Sequence, residues 1–202
     1  MIANKKNFPT SWKVKLLGEH NLENIALAVE AVRKIGVKEL AIKKTVENFK
    51  GLPGRLEFVR EVNGVKYYND TTATTPEAVE VALDSLPPDG RAGKKHKDKI
   101  ILIGGGADKN LEYGEYAKVV KKCVKALILF RGLASSKIIS ALGKTKFPVE
   151  IADSMKKAME IARANSKKGD IILLSPAAAS FGVFKNEFDR GEQFINAVNK
   201  LK

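Results

Sequence analysis

A doubly wound α/β sheet is the fold this sequence predicts, and three observations predict it. From residue 56 onward, strand-like and helix-like segments alternate, the order that builds parallel sheets with crossover helices. Three strand candidates, at 99–104 (KIILIG), 126–130 (ALILF) and 171–175 (IILLS), are almost wholly apolar, as strands covered on both faces must be. The pair Asn63-Gly64 separates two strand-like runs, the strongest short hairpin signal, and so adds a hairpin strand at the start of the sheet.

The elements follow in order. The first 50 residues read as an extended piece and two helices. From Asn21 to Ile35, Leu22, Ile25, Ala26, Val29 and Val32 recur at helical spacing, and Gly36 supplies the stop. A second helix runs from about Lys38 to Phe49. The turn Gly51-Leu52-Pro53-Gly54 punctuates the chain and divides it into a region 1–50 and a region 51–202. Strands are expected at Leu56–Val62 and Val65–Asn69, then a helix at Pro76–Ser85 and a strand at Lys99–Ile103. A helix at Tyr113–Cys123 leads to a strand at Ala126–Phe130, and a helix at Ser135–Leu142 to a short strand at Val149–Ile151. A helix at Ser154–Asn165, a strand at Ile171–Leu174 and a helix at about Glu187–Leu201 complete the chain.

Composition narrows the function. A hydrophobic content of 44% over 202 residues supports a sizeable core. The net charge of +13 attracts anions, but it is spread along the chain. Its densest cluster, from Arg91 through Lys94, Lys95 and Lys97 to Lys99, has no interleaved aromatics and reads as a solvated loop rather than a nucleic-acid surface. The single cysteine, Cys123, lies in a helical run, and one cysteine cannot form an internal disulfide; a reducing cytoplasm is expected. The N-terminus has no apolar leader, and no run approaches the ~20 apolar residues of a membrane span, so no membrane partner is expected.

In a doubly wound sheet, ligands bind beyond the carboxyl ends of the strands. Three loops occupy that edge. Asn69-Asp70-Thr71-Thr72-Ala73-Thr74-Thr75 precedes a helix that Thr75 can cap, with Pro76 at the first helical position; this leaves Asp70, Thr71, Thr72 and Thr74 to face the edge. Gly104-Gly105-Gly106-Ala107-Asp108-Lys109-Asn110 follows a buried strand; its glycines let backbone approach a ligand and Lys109 can meet a carboxylate or phosphate. It is neither G-x-G-x-x-G nor a Walker loop. Ser175-Pro176-Ala177-Ala178-Ala179-Ser180-Phe181-Gly182 brings small residues and the Ser180 hydroxyl. Together they suit an anionic, carboxylate-bearing small molecule. His20 and His96 lie outside these loops, so the site positions its ligand rather than attacking it.

The same segments carry a resemblance. Gly18-Glu19-His20-Asn21-Leu22-Glu23-Asn24, Gly51-Leu52-Pro53-Gly54-Arg55-Leu56-Glu57, the Asn69–Ala78 loop, Gly104–Lys109, Leu173–Phe181, Phe184-Lys185-Asn186 and Arg190-Gly191 closely resemble the Mur ligase family, in order and spacing, over nearly the whole chain. The N-D-x-x-A-T and L-S-P-A-x-A-S patterns are most similar to those of members that add D-glutamate to UDP-N-acetylmuramoyl-L-alanine in peptidoglycan precursor synthesis. The family has a UDP-binding domain, a central ATPase and a C-terminal amino-acid-binding domain of Rossmann-like fold. The resemblance implies that 1–50 is the last part of the central domain and 51–202 the complete C-terminal domain. It implies ATP as co-substrate and magnesium, both held mainly by the upstream domains as partners, with D-glutamate and the UDP-linked substrate as the other ligands.

Carried over residue by residue, the resemblance puts Asn21 and Asn24 near the adenine, Arg55 at the nucleotide and Asp70 near the ribose. Thr74, Lys109 and Ser180 hold the D-glutamate carboxylates, with Phe181 as a neighbouring backbone contact. Thr72 stands where the family often has lysine, Gly54 where it often has histidine, and Phe188 one position later than the family's aromatic. With no Walker loop in the chain, catalysis by this chain alone is not expected, and region 1–50 is expected to be the less stable part. A stand-alone module that binds an amino acid or small anion without chemistry would share the loop pocket. Such a module would have no use for Asn21, Asn24 and Arg55.

Overall fold

A computed structural model describes residue 9, residues 11–86 and residues 99–202. The basic cluster around Lys94, Lys95 and Lys97 lies outside them. The described chain divides into two compact units, one ending at Leu52 and the other beginning at Pro53.

The first unit holds helices α1 (Glu19–Lys34) and α2 (Glu39–Asn48). Its core is small: Trp12, Val29 and Ile42 are buried, with Ile25, Val32 and Val46 packed on them. Arg33 bridges the helices, meeting Glu30 at 3.0 Å and Glu39 through Nε at 3.0 Å. Much apolar surface stays open, including Ile35 and Leu40 at 79% and 78% exposure.

The second unit holds a six-stranded sheet in the order β1-β2-β6-β3-β4-β5. Strands β1 (Glu57–Val62) and β2 (Val65–Asn69) form the hairpin, with Val62 opposite Val65. Asn63 (φ 53°) and Gly64 (φ 77°) both take the left-handed conformation that the two-residue turn requires. The other strands, β3 (Ile100–Gly105), β4 (Val124–Phe130), β5 (Val149–Ala152) and β6 (Ile171–Leu174), run parallel, and β2 pairs parallel with β6. Every residue of β3 and β6 is buried, which is why these runs carry no polar alternation.

Helices α3 (Pro76–Ser85), α4 (Gly114–Cys123) and α5 (Leu133–Leu142) pack side by side, α4 touching both neighbours, while α6 (Met155–Ala164) packs on α7 (Glu187–Asn199). The winding explains this division. The chain moves in one direction from β2 through β3 and β4 to β5, so right-handed crossovers put α3 to α5 on one face. It then reverses to place β6 between β2 and β3, which sends α6 to the other face, over a core of Ile101, Ile103, Ile128, Phe130, Ile172, Leu174, Phe194 and Val198. The loops after β2, β3 and β6 therefore open where the winding reverses, the place where such sheets bind ligands. Among the described residues no helix is long and apolar enough to cross a membrane.

Candidate functional site

The three loops are laced into one surface. The loop after β2 meets the loop after β6 twice: Ala177 N–H donates to the Ala73 carbonyl at 2.9 Å, and the Ser175 hydroxyl donates to Asp70 Oδ2 at 2.7 Å. The loop after β6 meets the loop after β3 through the mutual pair Ala107–Ala179 at 3.0 and 3.2 Å, and Gly105 N–H donates to the Pro176 carbonyl at 2.7 Å. The Tyr113 hydroxyl donates to the Ala177 carbonyl at 3.0 Å, and Ala177 sits at φ 56°, a conformation that costs a non-glycine residue about 1 kcal/mol or more. That strain is maintained by bonds on both sides of the residue.

The loops after β2 and β3 meet through two expected site residues. The Lys109 ammonium donates to Thr74 Oγ1 at 3.2 Å. Lys109 is exposed and has no ion pair among the described residues. The loop that presents it is tied down by its neighbour: Asp108 accepts from Asn110 N–H at 3.0 Å and pairs with Lys137 of α5 at 2.7 Å. The Lys137 bond holds the Asp108 carboxyl below the usual carboxylate range. Ser180 is buried and Phe181 is 63% exposed.

Two expectations need correction. Asp70, Thr71 and Thr72 do not all face the edge. The Thr71 hydroxyl donates to the Glu187 carbonyl in the first turn of α7 at 2.7 Å, and the Thr72 hydroxyl donates to the carbonyl of buried Gly54 at 2.8 Å, where a carbonyl needs a donor. Asp70 is buried at 6% exposure and accepts from Leu56 N–H at 3.0 Å as well as from Ser175. Burial pushes its carboxyl up to about 6, against the pull of those bonds and of Arg55. The glycines at 104–106 also differ from the expected open loop. Gly104 and Gly105 end strand β3, and a Cβ on Gly105 or Gly106 would collide with Ser135 Oγ or the Ala179 carbonyl. Their absent side chains let backbone approach backbone.

Arg55 is exposed. Asn21 and Asn24, in the first turns of α1, lie three apart on one helix face; Asn21 Nδ2 donates to the Leu17 carbonyl at 2.7 Å and Asn24 is exposed.

One residue given no role from the sequence organises the site. Arg190, fully buried on α7, donates to the Thr71 hydroxyl and carbonyl and to the Ala178 carbonyl at 3.1, 2.8 and 3.3 Å. It thereby joins the loops after β2 and β6. Burial pulls its guanidinium down to about 10, so it is still protonated at neutral pH. The signal was present: Arg190, Phe194 and Val198 fall at four-residue spacing, which puts an arginine on the apolar face of a helix.

Comparison with known proteins adds three findings. The chain matches the family described as Mur ligase, glutamate ligase domain, over residues 54–178. It is 44% identical over 191 residues to the UDP-N-acetylmuramoylalanine--D-glutamate ligase of Roseiflexus sp. (strain RS-1), covering 93% of this chain and 39% of that protein, and 40% identical to the ligase of the same name from Lachnospira eligens, covering 93% and 40%. The chain thus spans about two fifths of the length of these relatives. The fold is shared with the MurF ligase of Thermotoga maritima solved in complex with ADP, at a TM-score of 0.61 and 21% identity, over 90% of this chain and 38% of that one.

Proposed function

The chain belongs to the Mur ligase family by its match to the glutamate ligase domain, and from that membership we propose that it is the amino-acid-binding part of an ATP-dependent ligase. Its D-amino-acid substrate is D-glutamate and its acceptor is UDP-N-acetylmuramoyl-L-alanine, a peptidoglycan precursor; the location that fits such substrates is cytoplasmic. Region 1–50 then belongs to a central nucleotide-binding domain and region 51–202 to the amino-acid-binding domain.

The observation that supports the reading most directly is the Lys109–Thr74 contact at 3.2 Å. A hydroxyl from one loop steadies an exposed ammonium from another, and that ammonium lacks an acidic partner among the described residues. It keeps two further donors for a carboxylate, and such charge-assisted bonds are about twice as strong as neutral ones. Ser180 and the Phe181 backbone stand on the neighbouring loop.

In the proposed reaction, ATP transfers its terminal phosphoryl group to the acceptor's carboxylate, giving an acyl phosphate and ADP. The D-glutamate amine, having released a proton, attacks the acyl carbon. The tetrahedral intermediate expels inorganic phosphate and leaves an amide. Residues of this chain position rather than react: Lys109, Thr74 and Ser180 hold carboxylates, Asn21 and Asn24 face adenine, Arg55 reaches the nucleotide and Asp70 lies near the ribose. Among the described residues no three His, Cys, Asp or Glu side chains gather as a metal site; magnesium would be held mainly by the upstream domains, where it would offset charge on the transferring phosphoryl group.

The test is steady-state kinetics of the ligase that carries this chain. Lys109→Ala should raise the KM for D-glutamate about tenfold or more, the loss expected for one charged hydrogen bond, while the KM for ATP stays within about twofold. An unchanged dependence on D-glutamate would remove Lys109 from the site.

A further inference from the structure

The parallel strands start on the edge of the sheet opposite the three loops, and lysines collect there. Lys99 stands directly before β3, Lys121 and Lys122 lie in the last turn of α4 just before β4, and Lys167 and Lys168 lie in the turn from α6 into β6. Strands β6, β3 and β4 are neighbours in the sheet, about 4.8 Å apart. The Lys99 carbonyl accepts from Ile171 N–H at 2.9 Å, which ties the start of β3 to that of β6. Charge that is spread along the chain in sequence is thus concentrated by the winding.

This concentration is not neutralised locally. All five lysines are exposed, and none forms an ion pair among the described residues. The carboxylate at these strand starts, Asp170, is buried at 1% exposure and already engaged. It accepts from Lys125 Nζ at 2.6 Å and from Lys167 N–H at 2.8 Å. The helix dipole accounts for lysines in the last turn of α4. It does not account for Lys99, Lys167 and Lys168, which lie outside the helices. Strand starts one spacing apart fall within the ~8 Å Debye length at physiological salt, so the charges present a joint field.

We propose that this edge docks on an anionic lipid bilayer, its ammonium groups meeting the phosphate headgroups. The exposed aromatics of the second unit, Phe58, Phe181 and Phe188, belong to the opposite edge, so no base-stacking platform accompanies the lysines among the described residues. The five cations are all lysine. Reading bases and single phosphates favours the guanidinium fork, whereas compact ammonium groups suit a diffuse layer of headgroups. Such docking is electrostatic and needs no spanning helix, so the lack of an apolar span does not bear on it. It leaves the three ligand loops facing away from the bilayer and open to soluble molecules. The inference is independent of the ligase reading.

Co-sedimentation of the 202-residue chain with vesicles provides the test. The chain should pellet with phosphatidylcholine vesicles containing about 30% phosphatidylglycerol at about 50 mM salt, and be released at about 0.5 M salt. Vesicles of phosphatidylcholine alone should leave it in solution. One lysine near the surface is worth roughly fivefold in binding, so Lys121→Gln with Lys122→Gln, or Lys167→Gln with Lys168→Gln, should lower it about tenfold or more. Lys156→Gln with Lys157→Gln removes the same charge from the first turn of α6, on the opposite edge, and should change binding by less than about twofold. All six positions are exposed, so the variants should fold. An equal loss in this control pair would trace binding to net charge and overturn the proposal. Failure to pellet at low salt, or equal binding to uncharged vesicles, would do the same. Tighter binding to duplex DNA at matched phosphate concentration, lost with the same edge substitutions, would assign the edge to nucleic acid instead.

Discussion

The Arg190 guanidinium holds Thr71 by both ends, donating from Nε to the hydroxyl at 3.1 Å and from Nη2 to the carbonyl at 2.8 Å. A third bond reaches the Ala178 carbonyl. None of the three acceptors is a carboxylate, so the hydrogen bonds are all to neutral dipoles, with the Glu187 charge adding attraction that does not offset burial, and removal of the cation leaves buried carbonyls without a donor.

Arg190→Met should therefore cost about 3–5 kcal/mol of stability, the range for breaking a buried charged network. Arg190→Lys should recover only part of this, because an ammonium lacks the planar fork that spans Thr71 and Ala178. Urea unfolding followed by circular dichroism measures both. A loss below about 1 kcal/mol for the Met variant would show that the network adds little.

Asp70 gives a pH prediction. Its folded carboxyl is raised to about 6 from an ordinary value of 3.8, chiefly by burial. Between those values the folded state binds more protons than the unfolded one, so this group's contribution is present below pH 3.8 and is lost as pH rises through about 6. Asp70→Asn keeps an acceptor for Leu56 N–H and offers a donor to Ser175. It should stabilise the chain at pH 7 by about 1–3 kcal/mol, with the gain vanishing below pH 4. Ligase activity should fall in the same variant. A variant less stable than wild type at pH 7 would show that the ionised carboxylate stabilises the turn.

Lys137 acts on the proposed ligand site through Asp108. Lys137→Met should leave the urea midpoint nearly unchanged, since the ion pair is partly exposed. It should weaken D-glutamate binding several-fold, because Asp108 would then hold the loop only through Asn110. Amide exchange at Asn110 should accelerate. Unchanged exchange and unchanged affinity together would show that the loop keeps its shape without the pair.

The two units should unfold separately. Trp12 is the only tryptophan and belongs to the small core of the first unit, whereas most of the circular dichroism arises from the larger second unit. Tryptophan fluorescence should report a lower urea midpoint than circular dichroism. Coincident midpoints would indicate one cooperative unit.

The elements that the sequence predicted best are those with one dominant local cause. Pro76–Ser85 begins at Thr75, whose hydroxyl accepts from Ala78 N–H, with proline at the first helical position. Asn63-Gly64 can form little other than its hairpin turn. Boundaries moved where two causes compete: β4 starts at Val124, two residues before the expected Ala126, because parallel pairing with β3 extends it past the apolar run.

The candidate site was legible as three loops, and less so as roles within them. Local spacing placed Thr74, Lys109 and Ser180 on the strand-end edge because strand and helix alternation dictates which ends carry loops. It could not assign hydrogen bonds between residues 18, 105 or 119 positions apart, such as Thr72 to Gly54, Ser175 to Asp70 or Arg190 to Thr71. Those pairings consumed the Thr71 and Thr72 hydroxyls and buried Asp70.

By itself the sequence determined the α/β class, the hairpin, the apolar strands and the family, because each is written in short-range periodicity or in motifs of fixed order. The tertiary structure alone decided which polar side chains satisfy the backbone and which remain for a ligand. Buried carbonyls take donors from whichever chain segment the winding brings near, and that proximity is set by the placement of β6 between β2 and β3.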